Sequence, residues 1–309
     1  MRYSTRRSAI SRVGRSLRRY PLLWIGAFMV GVVILVAVFA PVLSPYPPNQ
    51  MDILNQLAAP SARHLLGTDN FGRDILTRIF YGGRVSLLVG FASVVIAGVI
   101  GTTLGLVASH FGGIVDTLIM RLTDIVLSFP VILLALALVA VLGPSVRDII
   151  LALGLGYWAS YARLVRAAGL EVREEQYIEA ARSVGNGDLR IMLRYMLPNV
   201  LGPILVMATL GVGSAIVAEA SLSFLGLGVQ PPTASWGAMI ADGLRFFLQS
   251  PNLSTFPGFA IMWTVLGFNL LGDGLSDYFN PKINRGRRGA QNDEEPEEES
   301  LDAADVSVH

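Results

Sequence analysis

The sequence predicts an all-α, polytopic membrane protein of about six transmembrane helices. Three observations carry that expectation. Hydrophobic residues make up 52% of the 309 positions and charged ones only 15%, and the mean hydropathy is +0.54, a balance that a soluble globular chain of this length does not tolerate. The apolar residues gather into six runs close to or above the roughly 20 positions that span a bilayer core. The charges are segregated, basic at the first twenty positions and acidic at the last twenty, with one charged island at 171–199. The net charge of +1 hides this segregation. The chain has no cysteine, which excludes disulfides and thiolate metal sites.

Taken in order, residues 1–21 form a basic segment expected in the cytoplasm. Ile10, Val13, Leu17 and Tyr20 recur there at helical spacing, which fits a helix lying on lipid or simple topology charge. Arg6-Arg7 and Arg18-Arg19 invite a twin-arginine export reading, but no small-x-small cleavage site follows, so 22–43 is expected to be an uncleaved first span. Residues 44–84 are polar and punctuated, opening on Ser44-Pro-Tyr-Pro-Pro48, and should lie outside the bilayer. For Asp69, Arg73 and Asp74, turn-forming and salt-bridging roles suffice over a catalytic one.

The core, 85–281, should hold five more spans: Val85 to Ser109, Val115 to Leu142, Ile149 to Leu170, Val200 to Val217 and Phe256 to about Tyr278. Ala97, Gly101 and Gly105 fall four apart in the second span, a stripe that permits close approach by a helix of this chain or of another. Arg121 and Asp124, three apart, are placed to pair with each other. Glu219, Asp273 and Asp277 are functional candidates as intramembrane acids, yet all lie near span ends, where interfacial solvation suffices. Residues 282–309 form an acidic tail expected to be cytoplasmic and disordered. Counting Lys and Arg on alternate sides gives 17 against 6 in favour of cytoplasmic N- and C-termini, which places the 171–199 island in the cytoplasm as well.

That island reads as two short amphipathic helices. Tyr177, Ala181 and Val184 recur at i, i+4, i+7, giving a narrow apolar face on the first. Gly185 fits the left-handed position that closes a helix, and Asn186, Gly187 and Asp188 supply turn and N-cap chemistry. Leu189, Met192, Leu193 and Met196 form the second stripe, expected to stop at Pro198. Neither stripe can bury itself, so each needs the membrane helices or a partner.

The order Glu179-Ala180-Ala181, Gly185, Ile191, Leu197-Pro198 resembles the EAA loop of permeases of ATP-binding-cassette importers. Asn186 stands where common members have Ala. His64-Leu-Leu-Gly-Thr-Asp69, Phe71-Gly-Arg-Asp74, the stretch from Ser221 to Gly237 and Phe268-Asn-Leu-Leu-Gly-Asp-Gly274 are similar to the second permease of dipeptide, oligopeptide and nickel systems, over about 22–281. The resemblance implies a multi-pass prokaryotic plasma-membrane protein that forms half of a pathway for peptides or a related small solute. It implies a homologous second permease, two ATP-binding subunits, an extracytoplasmic substrate-binding protein and surrounding lipid as partners, with no nucleic acid. It implies ATPase coupling through Tyr177, Glu179, Ala180, Ala181, Val184, Gly185, Ile191, Leu197 and Pro198.

No enzymatic activity and no cofactor are expected of the chain itself. Its single lysine, Lys282, follows Pro281, so the Gly-Lys-Ser/Thr of a phosphate loop is missing and ATP must be bound elsewhere. A stand-alone secondary transporter, the alternative, calls for paired broken helices with buried ionisable groups near the midplane, and the sequence shows no such pair. An intramembrane hydrolase lacks cysteine, a histidine in any span, and HExxH.

Overall fold

A computed structural model describes residues 20–279. The basic segment before Tyr20 and the acidic tail, with Lys282, lie outside the described residues. Among the described residues the fold is helical, its only bridge being the isolated Thr68–Asp74 pair.

Helix α1 (Pro21–Val38) begins on a proline, whose fixed φ suits a first turn. The first apolar run then breaks, because Pro41 offers no N–H to a continuing helix, and α2 (Ala40–Leu43) follows as a single turn. Helix α3 (Ile75–Phe111) is 37 residues long and starts ten positions before the expected span. Asp74 fixes that start by accepting the Thr77 N–H at 2.8 Å, so the boundary expected after Arg84 falls inside a helix.

The third run corrects the expectation most. Val115 to Leu142 is two helices, α4 (Gly113–Leu127) and α5 (Val131–Leu142), bent by 87° at Ser128-Phe129-Pro130. Pro130 lacks a donor and disfavours helical geometry at Phe129, and these effects together turn the chain. Helix α6 (Val146–Arg173) starts on the Ser145 cap. Its 28 residues reach about 42 Å at 1.5 Å per residue. Two short helices, α7 (Gln176–Ser183) and α8 (Asp188–Arg190), lead through a π-turn (Ile191–Met196) into α9 (Leu197–Phe224).

Pro198 therefore does not stop the second amphipathic stretch. It occupies the first turn of α9, where its missing N–H costs little, and the wider π-turn carries the chain across so that Asp188–Phe224 is one continuous rod. Helices α10 (Trp236–Leu244) and α11 (Asn252–Phe279) complete the fold.

Four helical stretches, Pro21–Val38, Ile75–Phe111, Asp188–Phe224 and Asn252–Phe279, are long and apolar enough to cross a membrane, and the bent α4–α5 pair makes a fifth if it is one span. Helix α6 is long enough but carries Arg163 and Arg166, so it does not pass on apolarity.

The α3–α6 seam holds the core. A β-carbon at Gly101 would sit 2.5 Å from the Trp158 carbonyl oxygen, and one at Gly105 would sit 2.7 Å from that of Ala162. The stripe of small residues therefore serves packing within this chain. Tyr161, beside it, is buried with Val94, Val212, Ile216 and Phe268.

One face of the bundle gathers both ends of the described chain. Tyr20 meets Tyr278 edge-on at 5.6 Å, and Phe279 packs over Gly202 near the start of α9. The 171–199 island lies on that face with the C-terminal end of α3. The opposite face holds residues 44–74, α10 and the N-terminal end of α3.

Candidate functional site

The island folds as a compact hairpin whose apolar residues divide between two directions. At about 100° per residue, Ile178 and Ala181 share one arc of α7, and Tyr177, Ala180 and Val184 share the neighbouring one. Ile178 is 0% exposed, in a cluster with Leu106 of α3, Val165 of α6, and Ile191, Met196 and Val200. Ala181 is buried too, which corrects its assignment to a docking face with Tyr177 and Val184. The outward arc is 41% exposed at Tyr177 and 83% at Val184, with Glu179 and Ala180 exposed beside it. Partial burial, and then the Glu175 charge, hold the Tyr177 phenol above its ordinary pKa.

Helix α7 ends as expected. Gly185 has φ +82°, its N–H donates to the Arg182 carbonyl at 2.9 Å, and the Asn186 N–H donates to the Ala181 carbonyl at 3.2 Å, the paired bonds of a Schellman cap. The Asn186 side-chain amide donates to the same Ala181 oxygen at 2.9 Å. A second expectation is corrected here: the N-cap of α8 is Gly187, without a side-chain bond, and Asp188 turns its carboxylate to His110 instead. The second stripe also splits. Leu189 and Leu193 point outward and Met196 inward, while Ile191, outside the periodic set, is the buried anchor. Leu197 is half-buried and Pro198 exposed.

Ion pairs bind α4 to α6. The Arg166 guanidinium grips Asp116 with two bonds, Nη2 donating to Oδ2 at 2.6 Å. Arg163 donates to Asp124 at 2.7 Å, so Asp124 pairs across helices and not with Arg121. Sequence spacing favoured the local partner, because it cannot register a helix that brings a residue 39 positions away.

At the opposite face, Asp69 accepts the N–H groups of Phe71 and Arg73 and the Arg73 Nε at 2.6 Å, with Arg78 Nε 3.5 Å away. Asp74, besides capping α3, lies 3.0 Å from His64 Nδ1. Both acids thus serve structural turns, as their residue types suggested. Glu219 does not sit in interfacial solvent. It is fully buried, accepting from Ser223 at 2.8 Å and Ser86 at 3.3 Å, beside the Ser235 hydroxyl. Asp273 and Asp277 are exposed on α11. Among the described residues no group of three or more acidic or histidine side chains could hold a metal ion.

Fold and site define a polytopic membrane component that presents a capped apolar hairpin from one face. The chain belongs to the family of binding-protein-dependent transport system inner membrane components, whose model matches residues 101–285. Residues 8–60 match the N-terminal TM domain of oligopeptide transport permease C. The chain is 47% identical to the dipeptide transport system permease protein DppC of Alkalihalophilus pseudofirmus, over 87% of this chain and 88% of that one. It is 44% identical to the glutathione transport system permease protein GsiD of Escherichia coli O6:K15:H31, over 87% and 89%. A putative peptide transport system permease protein of Brucella abortus is 42% identical, over 90% and 93%.

Proposed function

We propose that this permease lines half of the pathway of an ATP-driven importer for peptides or a related small solute, and that its 171–199 hairpin docks on an ATP-binding subunit. The observation that carries the reading is the outward arc of Tyr177, Ala180 and Val184, continued by Leu189 and Leu193, on a hairpin anchored from beneath by Ile178 and Ile191. Large apolar side chains held outward on a fixed backbone suit a protein partner, because little ordering entropy remains to be lost on docking. The relatives named for dipeptide, peptide and glutathione transport support the substrate class.

The remaining assignments follow from the same reading. Glu179, exposed on α7, contributes polar contacts at the rim of the docking face. Gly185, Leu197 and Pro198 set the backbone path of the hairpin, while Ala181 and Ile191 hold it from beneath. A homologous permease completes the pathway, two ATP-binding subunits lie against the hairpin face, and a substrate-binding protein delivers solute at the opposite face. The hairpin face and both termini are cytoplasmic, in agreement with the arginine distribution. ATP is bound by the partners, since the one lysine of this chain follows a proline and leaves it without the Gly-Lys-Ser/Thr of a phosphate loop.

The test is to isolate the chain from its native membrane in mild detergent and identify what accompanies it. Two ATP-binding subunits and a second permease should co-purify, and the assembly should hydrolyse ATP faster when loaded binding protein is added. Isolation of the chain alone, with uptake driven by an ion gradient, would sink the reading in favour of a secondary transporter.

A further inference from the structure

Helix α3 is tied at its C-terminal end to the hairpin through a contact between two residues outside the positions that carry the loop resemblance. His110, in the last turn of α3, is buried, and its Nε2 lies 2.8 Å from Asp188 Oδ1. A carboxylate accepts from the ring, so Nε2 carries the donated hydrogen. Among the described residues no partner reaches Nδ1, and the ring otherwise meets Phe111 edge-on at 5.0 Å. Asp188 is therefore the polar anchor of this buried ring. Its own side chain is 64% exposed and belongs to the first residue of the rod that runs on through the π-turn into α9.

Two further contacts converge there. Arg173, at the end of α6, donates Nη1 to the Ser109 carbonyl at 3.1 Å, and Leu106, one turn before His110, joins the cluster that holds Ile178 and Ile191. The apolar cluster resists separation of α3 from the hairpin, but an apolar contact is non-directional and permits sliding or rotation. The His110–Asp188 bond is directional, and it fixes the orientation of the hairpin about the end of α3. At its other end α3 is capped by Asp74, which His64 touches, and at 1.5 Å per residue the 37 residues span about 55 Å. One rigid helix thus runs from the loops of one face to the hairpin of the other.

We propose that His110 is a positioning residue for transport: through Asp188 it sets the orientation of the hairpin relative to α3, so that a movement of either is transmitted to the other. The proposal rests on the importer reading above. Removing the bond leaves the docking residues and their apolar anchor in place, so assembly persists while coupling is lost.

The test uses the complete importer in proteoliposomes, with His110→Ala, Asp188→Ala, the double variant and Asp188→Asn. Co-purification of ATP-binding subunits, basal hydrolysis, binding-protein-stimulated hydrolysis and uptake are each normalised to permease content. The two alanine variants should hold their ATP-binding subunits and basal rate yet lose stimulation and uptake by about fivefold or more, the low end of coupling between distinct sites. The double variant should be no worse than either single one, because one bond is removed in all three. Asp188→Asn, which keeps an acceptor oxygen, should recover part of the stimulation.

Normal stimulation in His110→Ala overturns the proposal, as do fully additive losses in the double variant. Loss of the ATP-binding subunits in both His110→Ala and Asp188→Asn would also overturn it, by showing that the bond builds the hairpin and does not merely orient it. Failure of the importer reading would show separately, as a wild-type chain without ATP-binding subunits.

Discussion

At the residue scale, Gly185 and Ile178 separate two roles that the periodicity of α7 merges. Gly185 adopts φ +82°, where a β-carbon meets nothing within 4 Å, so the cost of a β-branched residue there is set by the backbone strain, roughly 1–3 kcal/mol. Gly185→Val should leave the protein inserted and abundant while reducing recovery of ATP-binding subunits and uptake, with Gly185→Ala milder; normal recovery and uptake in the valine variant would remove the hairpin from coupling. Ile178 acts from beneath. Ile178→Ala should cost about 2–5 kcal/mol of local packing, read as faster backbone hydrogen exchange across 176–196, because it opens a cavity in a fully buried cluster. Tyr177→Ala, on the exposed arc, should leave that exchange unchanged and weaken only co-purification. The reverse pattern would mean that the two faces of α7 have been assigned the wrong way round.

At the element scale, the fold is organised by the α3–α6 seam, where backbone meets backbone through Gly101 and Gly105. Gly101→Val should lower the level of protein in the membrane and its melting temperature in detergent, because its β-carbon would fall 2.5 Å from a main-chain oxygen that cannot rotate away. The companion change Gly258→Val is the control, since a β-carbon at Gly258 meets nothing within 4 Å. Equal loss in both variants would show that helix propensity, and not the seam, sets the cost. The bent α4–α5 pair is of a different kind. Its angle comes from Pro130; α4 is held to α6 by the Arg166–Asp116 and Arg163–Asp124 pairs, and α5 by Ala135 and Val139 buried against Ile149, Ala152 and Leu153. A hydropathy run reports that such a segment is apolar without reporting that it turns.

At the scale of the whole molecule, the hairpin and both ends of the described chain share one face, and the proposal that this face is cytoplasmic rests on the arginine distribution. The cysteine-free sequence allows a direct check. Ser183→Cys should resist an impermeant thiol reagent in intact cells and react once the membrane is opened, whereas Ser61→Cys should react from outside at once. Both serines are exposed in the fold, so burial does not explain a difference between them. Labelling of Ser183→Cys from outside would invert the topology.

The sequence by itself determined the class. Apolar runs and segregated charge predicted a helical membrane protein, the resemblance of Glu179 to Pro198 to a permease loop pointed to the family, and even the left-handed Gly185 was legible, because helix ends obey local backbone rules. Only the tertiary structure decided which partner each side chain has. Ala181 turned inward, Ile178 and Ile191 became anchors, Asp124 reached Arg163, Asp188 reached His110, and Glu219 was enclosed by Ser86 and Ser223. The physical reason is range. Caps, turns and apolar runs are decided within a few residues, whereas the direction of a side chain on a helix that is apolar on more than one arc depends on which distant helix arrives to cover it.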